Sequence, residues 1–400
     1  MLKRSFPFIG FLLLFIFISC GEREIKTLEK EDLFSVPLGK LAEEIDYFQR
    51  DSLRFSPDND MEMLHGFFYI TNGRSGKLLK FNSYGDLLTL IYNPDRNPYP
   101  AELLSRQSDD TEVNRKVIPW QFNSPGALAV SEENIYIVDK VAPNRQIKDK
   151  NVLMDRNILQ FSSQGEYINF IGMEGVGGQP FPYIENLWIS DKSELIVLYR
   201  TRTVDDESWF VNWYTPAGVL RYSVEIRESV IPMPVGETDL SISLDSIIPD
   251  LSDYEIYLKM TYFRSAGENN NENVSEIFGG TLNFSVVENK WHDWSRLPEN
   301  TLEIDGLEID SPYDLIGTAK GRQFFLSLGK GSQYSLLIRD DQGLFSEEYL
   351  LQMDDRQIIN TDFYLSEEGI LCAMVYTDSE AMLNWWRTDK LIVDREEENG

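Results

Sequence analysis

The stretch that decides the fold runs from Ser124 to Asp139 and reads SPGALAVSEENIYIVD. Two apolar segments, Leu128–Val130 and Ile135–Val138, flank a short polar segment, a pattern that predicts two antiparallel strands joined by a tight turn. A second hairpin follows at 157–168, NILQFSSQGEYI. Its turn ends at Gly165, where a glycine accepts positive φ without steric cost. Together these hairpins predict a four-stranded antiparallel sheet.

The same pattern recurs along the chain. Echoes of the first hairpin begin at Leu187, Leu315 and Phe363. Counterparts of the second hairpin turn lie at 81–85, 161–165, 214–218, 286–290, 339–343 and 386–390. Six copies of a strand-rich unit, with amphipathic helices almost absent, predict an all-β architecture of six four-stranded sheets.

Between Ser124 and Gly175 the sequence resembles the NHL-type and related six-bladed β-propellers, and the resemblance extends over residues 60–395. As a whole the chain resembles uncharacterised propeller lipoproteins of spirochaetes. The resemblance implies a closed ring of six blades. A seven-bladed ring is the alternative, since Leu33–Leu38 could begin a further unit. We interpret this apolar segment instead as a strand that completes the last sheet and closes the ring.

The first twenty residues have the features of an export signal. Lys3 and Arg4 precede an apolar run from Phe6 to Ile18, and the run ends in Ser19-Cys20. A small residue before a cysteine at this point resembles a lipobox, which predicts cleavage before Cys20 and attachment of acyl chains, such as palmitate, to that cysteine. An uncleaved membrane anchor is the alternative.

This interpretation divides the chain into four parts and places it in the cell envelope. They are a signal peptide (1–19), a lipidated tether (20–32), the propeller (33–395) and an acidic tail (396–400). The predicted location is the inner or outer membrane, on its periplasmic or surface side. The sequence leaves the membrane, the leaflet and the oligomeric state open.

Charge narrows the range of partners. The chain has 37 basic and 66 acidic residues, and loss of Lys3 and Arg4 with the signal peptide would change its net charge from −29 to 35 − 66 = −31. Such an excess of acid argues against nucleic-acid binding, which needs lysine and arginine to neutralise phosphates. It also opposes attraction to anionic lipid, so the predicted membrane contact is the covalent one at Cys20.

Few residues suggest catalysis. His65 and His292 have no partner at a zinc-ligand or triad spacing, and no phosphate-binding loop is present. Cys372 lies in an apolar strand-like run and is predicted to be a small buried hydrophobic residue. The sequence therefore predicts no catalytic residues, no metal site and no cofactor.

The longer connections are predicted to lie on one side of the ring. In blades with strands A to D, the B–C connections (139–156, 200–208, 264–279 and 377–384) and the D–A connections (92–123 and 172–182) share a face. Basic residues on the B–C side suggest a binding face for an envelope protein or an anionic glycan: Arg74, Lys140, Arg145, Lys148, Lys150, Arg200 and Arg202. The alternative is that these loops are charged because they are solvated.

Three functions remain open. The leading hypothesis is a membrane-anchored binding or scaffold lipoprotein that presents this face. The rival is a periplasmic metal-dependent hydrolase or lactonase with Asp139, Asp191 and Asp314 in the central channel. A purely structural envelope component is the third. The tryptophans at 291, 294, 385 and 386 could stack on carbohydrate or pack between blades.

Overall fold

The structure is a computed structural model in which six antiparallel sheets surround a central axis. It describes residues 25–47, 59–101, 115–149, 152–203, 207–236, 240–264, 276–292, 294–304, 306–328, 333–340, 343, 345–353 and 358–393. Each sheet is a blade whose strands A to D run outward from the axis. Stacking the sheets side by side buries both faces of each one, which no single sheet could do alone.

The chain begins with two strands that belong to the last two blades, and then forms blades 1 to 3 in order. The N-terminal strands are β1 (Lys26–Leu28) and β2 (Glu31–Pro37). Blade 1 contains β3 (Asn59–Leu64), β4 (Phe67–Asn72), β5 (Lys77–Phe81), β6 (Leu87–Tyr92) and β7 (Lys116–Pro119). Blade 2 contains β8 (Leu128–Val130), β9 (Asn134–Lys140), an inserted hairpin of β10 (Ile147–Asp149) and β11 (Val152–Met154), then β12 (Arg156–Ser162), β13 (Tyr167–Gly172) and β14 (Gly175–Val176). Blade 3 contains β15 (Tyr183–Ile189), β16 (Leu195–Arg202), β17 (Glu207–Tyr214) and β18 (Leu220–Ile226).

Blades 4 to 6 complete the ring. Blade 4 contains β19 (Leu240–Pro249), β20 (Glu255–Arg264), β21 (Glu276–Ser285), β22 (Lys290–Trp291) and β23 (Ser295–Arg296), and is followed by a hairpin of β24 (Thr301–Ile304) and β25 (Leu307–Asp310). Blade 5 contains β26 (Asp314–Ala319), β27 (Arg322–Leu328), β28 (Tyr334–Asp340) and β29 (Ser346–Leu351). Blade 6 contains β30 (Asn360–Leu365), β31 (Leu371–Tyr376) and β32 (Glu380–Trp386), before a short helix α1 (Asp389–Val393).

The N-terminal strand β2 closes the ring, as the sequence predicts. It pairs antiparallel with β32 as the outermost strand of blade 6, with Val36 opposite Ala381. Val36 is buried in the core cluster between blades 6 and 1, and the Phe34 ring lies 5.6 Å from the Phe68 ring of blade 1. The described residues therefore form six blades, and Leu33–Leu38 does not begin a seventh.

Three details differ from the sequence prediction. Strand β1 pairs in parallel with β29, so the propeller begins at residue 26 rather than 33, within the predicted tether. Residues 386–390 do not form a hairpin, because β2 supplies the fourth strand of blade 6. The predicted long loop 377–384 is a short turn, since β32 begins at Glu380. The acidic tail at 396–400 lies outside the described residues.

The ring has two distinct faces. The face that carries the A–B and C–D connections is called the turn face, and the opposite face, with the B–C and D–A connections, is called the loop face. The described parts of the segments 92–123 and 140–156 lie together on the loop face, where the Asn123 side-chain Nδ2 donates to the Lys140 carbonyl oxygen at 2.8 Å. This contact confirms that these two long connections share one side of the ring.

The predicted character of Cys372 is also confirmed. Its side chain is 1% exposed, and its sulfur lies 3.6 Å from the Met63 sulfur of blade 1. Burial raises the pKa of the Cys372 thiol far above its ordinary value. Cys372 therefore acts as a small core residue at the junction between blades 6 and 1.

Candidate functional site

A buried carboxylate fixes the loop face at blade 2. Asp139 is the penultimate residue of β9, and its side chain accepts backbone N–H groups from Asn123 at 3.0 Å and from Ser124 at 2.6 Å. Burial raises the pKa of Asp139 to about 6, against the opposing effect of these N–H donors. The carboxylate thus fastens the D–A connection of blade 1 to the base of the B–C insertion of blade 2.

Two of the predicted basic residues are neutralised by acids. Arg74 Nε lies 3.1 Å from an Asp46 oxygen. Arg200 lies between two carboxylates, with Nε 3.0 Å from Glu185 and Nη1 3.1 Å from Glu207. These guanidinium groups therefore add little net positive charge to the loop face.

Four other predicted basic residues have no acidic partner among the described residues. Lys140, Arg145 and Lys148 all lie on the B–C insertion of blade 2, and we call these three residues the basic insertion. Arg202 ends β16 in blade 3. Among the described residues, none of the four forms an ion pair with a carboxylate. Arg145 and Lys148 are exposed and Lys140 is half-buried. Lys150 lies outside the described residues.

An aromatic groove lies beside the basic insertion, on the outer rim between blades 1 and 2. Trp120 stacks on Tyr167 with ring centres 4.6 Å apart and an interplanar angle of 27°. The Arg145 guanidinium lies 4.8 Å from the centre of the Phe170 ring. Tyr167 and Phe170 pair with Phe161 and Leu159, which alternate onto one face of β12, so both aromatic rings face blade 1.

A cavity of about 250 Å³ opens beside Trp120 and is lined by Pro94, Pro119, Trp120 and Gln121, all from the connection between blades 1 and 2. We call the cavity, together with Tyr167 and Phe170, the rim groove. Burial raises the pKa of Tyr167, and the positive charge of Arg145 partly opposes that rise, so the two side chains interact electrostatically. Sequence reasoning missed the rim groove, because its two walls come from different blades and no local motif links them.

The central channel and the turn face are acidic. The channel cavity is about 90 Å³ and is lined in part by Asp60, Glu62, Tyr364 and Glu367. Burial raises the pKa of Asp60 and of Glu367 to about 7, and it raises the pKa of Glu62 well above its ordinary value. Asp60 also accepts the Leu128 N–H at 2.8 Å, which ties blade 1 to blade 2.

The three aspartates predicted for a channel metal site do not converge. Asp139 is engaged by loop backbone, Asp191 lies in an A–B turn on the turn face, and Asp314 begins β26 at the loop-face end of the channel, 3.8 Å from Lys259 Nζ. Within the part of the chain that the structure describes, no group of three His, Cys, Asp or Glu side chains has the geometry to hold a metal ion.

The tryptophans considered for carbohydrate stacking are engaged within the protein. Trp386 is fully buried. Trp385 donates from Nε1 to Glu31 at 2.9 Å. The Trp291 ring packs edge-on against Phe284, and Trp294 packs against two aromatic rings of blade 4. These four tryptophans therefore pack within the protein, which is the second of the two alternatives that the sequence offers.

The predicted lipid attachment site, Cys20, lies outside the described residues. Among the residues that are described, no helix is long and apolar enough to cross a membrane.

Comparisons with solved structures found matches of low similarity. A polysaccharide lyase, Uly1, aligns over 89% of this chain and 99% of its own, with 8% identity and a TM-score of 0.44. A gluconolactonase of Xanthomonas campestris aligns over 80% and 82%, with 9% identity and a TM-score of 0.35. The WD40 domain of Toxoplasma gondii coronin aligns over 91% and 87%, with 9% identity and a TM-score of 0.39.

No protein-family model matches the sequence, and a search of curated proteins found no significant match. The similarity to these structures is too low to indicate a ligand or an activity for this chain. The class of the protein therefore follows from its own sheet topology, which is that of a six-bladed β-propeller.

Proposed function

We propose that this protein is a lipid-anchored binding protein without catalytic activity, and that its loop face captures an anionic ligand of the cell envelope. One observation carries the proposal: three basic residues without carboxylate partners among the described residues, Lys140, Arg145 and Lys148, lie on a single insertion of a chain whose net charge is −29. The Asp139 carboxylate fixes the base of that insertion to the neighbouring loop.

The charge distribution favours binding in one orientation. The acidic body and turn face repel an anion on average, whereas the basic insertion attracts it within a Debye length, about 8 Å at physiological ionic strength. A ligand held in this way should dissociate as salt increases. The covalent anchor at Cys20 would keep the propeller at the membrane surface, where envelope glycans and proteins are concentrated.

The binding half of the proposal is tested with immobilised dextran sulfate and the detergent-solubilised full chain. We expect salt-sensitive retention that falls at least tenfold in K140E/K148E. The matched control is K192E/K320E, which makes the same change in net charge at two exposed lysines of the turn face and should retain the wild-type behaviour. Equal losses in both variants would show that only overall charge matters and would refute a site on the loop face.

The anchoring half is tested separately at Cys20. In an exporting bacterial host, the wild-type chain should incorporate labelled palmitate and enter the detergent phase of Triton X-114. Cys20→Ala should abolish the label and remain in the aqueous phase. Labelling that persists in Cys20→Ala would place the lipid elsewhere and contradict the proposed anchor.

A further inference from the structure

We infer that the rim groove between blades 1 and 2 binds an acidic sugar unit of an envelope polysaccharide. The inference rests on the proposed function and names the ligand class for that site. Trp120 and Tyr167 would contact the sugar ring, and Arg145 would bind its carboxylate or sulfate group.

The aromatic surface suits one face of a sugar ring. Trp120 is half-buried and lines the cavity, while its stacking on Tyr167 and its edge-on contact with Phe161, at 5.2 Å, hold the indole in place. Tyr167 is 42% exposed. An aromatic ring that is held rigid and partly exposed offers an apolar surface at low entropic cost, and the C–H groups of a pyranose ring pack well against such a surface.

The charge beside this surface selects an acidic sugar over a neutral one. The Arg145 guanidinium is exposed, lies 4.8 Å from the centre of the Phe170 ring, and opposes the rise in the pKa of Tyr167. A planar guanidinium binds a carboxylate or sulfate through two parallel hydrogen bonds. Lys148 extends the positive surface along the insertion, so neighbouring sugar units of an acidic chain would also find a cation.

The size of the groove favours a saccharide over a folded protein partner. Its cavity of about 250 Å³ is below the roughly 300–1,000 Å³ of a drug-sized ligand site, which suits a single sugar unit of a longer chain. A stable protein interface needs about 800 Å² on each partner. The cavity is lined by only four residues, against the roughly 20–30 that such an interface contributes from each side.

The inference is tested by isothermal titration calorimetry on the detergent-solubilised full chain. The probes are oligogalacturonate, a sulfated dextran oligomer, neutral maltooligosaccharide and poly-glutamate. We expect at least one of the two acidic saccharides to bind at least tenfold more tightly than the neutral saccharide. Trp120→Ala and Arg145→Gln should each weaken that acidic saccharide at least tenfold.

Three further variants distinguish loss of binding from loss of folding and test how the aromatic ring and the guanidinium contribute. Tyr167→Ala changes a more exposed ring of the same groove and should weaken acidic-saccharide binding by about fivefold or more. Arg145→Lys keeps the charge but lacks the planar group, and should recover only part of the affinity. Tyr84→Ala removes an aromatic ring that is 85% exposed on the turn face and should bind like the wild-type chain.

The outcomes separate this inference from the proposed function. If neither acidic saccharide binds, or if binding is insensitive to Trp120, Tyr167 and Arg145, the rim groove is not a saccharide site. Retention on dextran sulfate that still depends on Lys140 and Lys148 would then leave the proposed function intact. Poly-glutamate binding that equals saccharide binding and requires Trp120 would instead identify an acidic protein as the ligand and overturn the inference.

Discussion

On the loop face, the buried Asp139 carboxylate accepts two backbone N–H groups, whereas in the channel near the turn face Glu367 lies among other acids. Both carboxyl groups have a raised pKa because they are buried, but their surroundings differ. Asp139 ties two long connections together, and among the described residues Lys140, Arg145 and Lys148 on the same insertion form no ion pair with a carboxylate. Glu367 contributes to a negative surface that repels anions. This difference underlies the proposal that the loop face binds an anion.

Loss of the Asp139 carboxylate should have the largest effect on stability. Asp139→Ala leaves the N–H groups of Asn123 and Ser124 without their acceptor, and hydrogen bonds to charged groups contribute roughly 1.5–3 kcal/mol each. We expect the free energy of unfolding in urea to fall by about 3 kcal/mol. Asp191→Ala is the control, since Asp191 is an exposed aspartate of the turn face. A loss below about 0.5 kcal/mol in Asp139→Ala would contradict the role given to this carboxylate.

The buried Lys77 should make a contribution to the free energy of unfolding that increases at alkaline pH. Its Nζ donates to the carbonyl oxygens of Leu41 at 2.6 Å and Glu44 at 2.9 Å, and burial lowers its pKa from 10.5 to about 8. Between pH 8 and 10.5 the unfolded chain binds a proton that the folded chain has lost, so the stability contribution of Lys77 rises with pH.

Relative to Lys77→Met, the wild-type chain should therefore gain about 2 kcal/mol in unfolding free energy between pH 8 and pH 10.5. Urea titrations at several pH values measure the difference. A flat difference across this range would show that Lys77 titrates normally in the folded chain.

Glu367 should have the opposite dependence on pH. Its folded pKa of about 7 lies above its ordinary value of 4.5, owing first to burial and then to Asp191 and Glu368. Its contribution to stability is complete below pH 4.5 and is lost as pH rises through 7. Glu367→Gln removes the charge and should be more stable than the wild-type chain by about 1 kcal/mol at pH 8, after allowance for solvent screening. An equal pH dependence in both proteins would remove Glu367 from the explanation.

Substitution of His65 should have the smallest effect on the free energy of unfolding. It lies on the turn face of blade 1, with Nδ1 3.1 Å from Glu368 of blade 6 and Nε2 3.5 Å from Glu132 of blade 2. The hydrogen bond to Glu368 is the main cause of its raised pKa. Its stabilising contribution is present below the unfolded pKa and is lost as pH rises through the folded one.

Because the imidazole is exposed, His65→Asn should lower the unfolding free energy by only about 0.5 kcal/mol at pH 5, and by nothing measurable at pH 9. Asparagine is chosen because residue 65 has a φ of 51°, which asparagine tolerates better than alanine. A difference that grows with pH would contradict the assignment.

The sequence predicted the hairpins within the blades well, because each depends on apolar segments and a turn that are close together in the chain. The hairpins around Ser131–Asn134 and Ser162–Gly165 are strands joined by turns, as the repeat of apolar segments predicts. The closing strand was also predictable, because the last unit lacks a fourth strand at the C-terminus. The prediction of a hairpin turn at 386–390 was wrong, because the N-terminal strand β2 already pairs with β32 as the fourth strand of blade 6.

The site was less predictable, because its properties depend on contacts between distant segments. Arg74 is neutralised by Asp46, which lies on the segment that follows the closing strand. The rim groove joins Trp120 of one blade to Tyr167 of the next. Neither contact leaves a periodic pattern in the sequence, so composition could suggest a basic face but could not show which cations remain free.

Hydrogen–deuterium exchange of the full chain, with and without oligogalacturonate, shows where on the ring an acidic ligand binds. If the loop face at blades 1 and 2 is the binding surface, the ligand should slow exchange in peptides that cover 119–121, 141–149 and 167–170. The A–B turns at 131–133 and 190–194 should exchange as in the free protein. Protection confined to those turns would place the ligand on the acidic face and contradict the account.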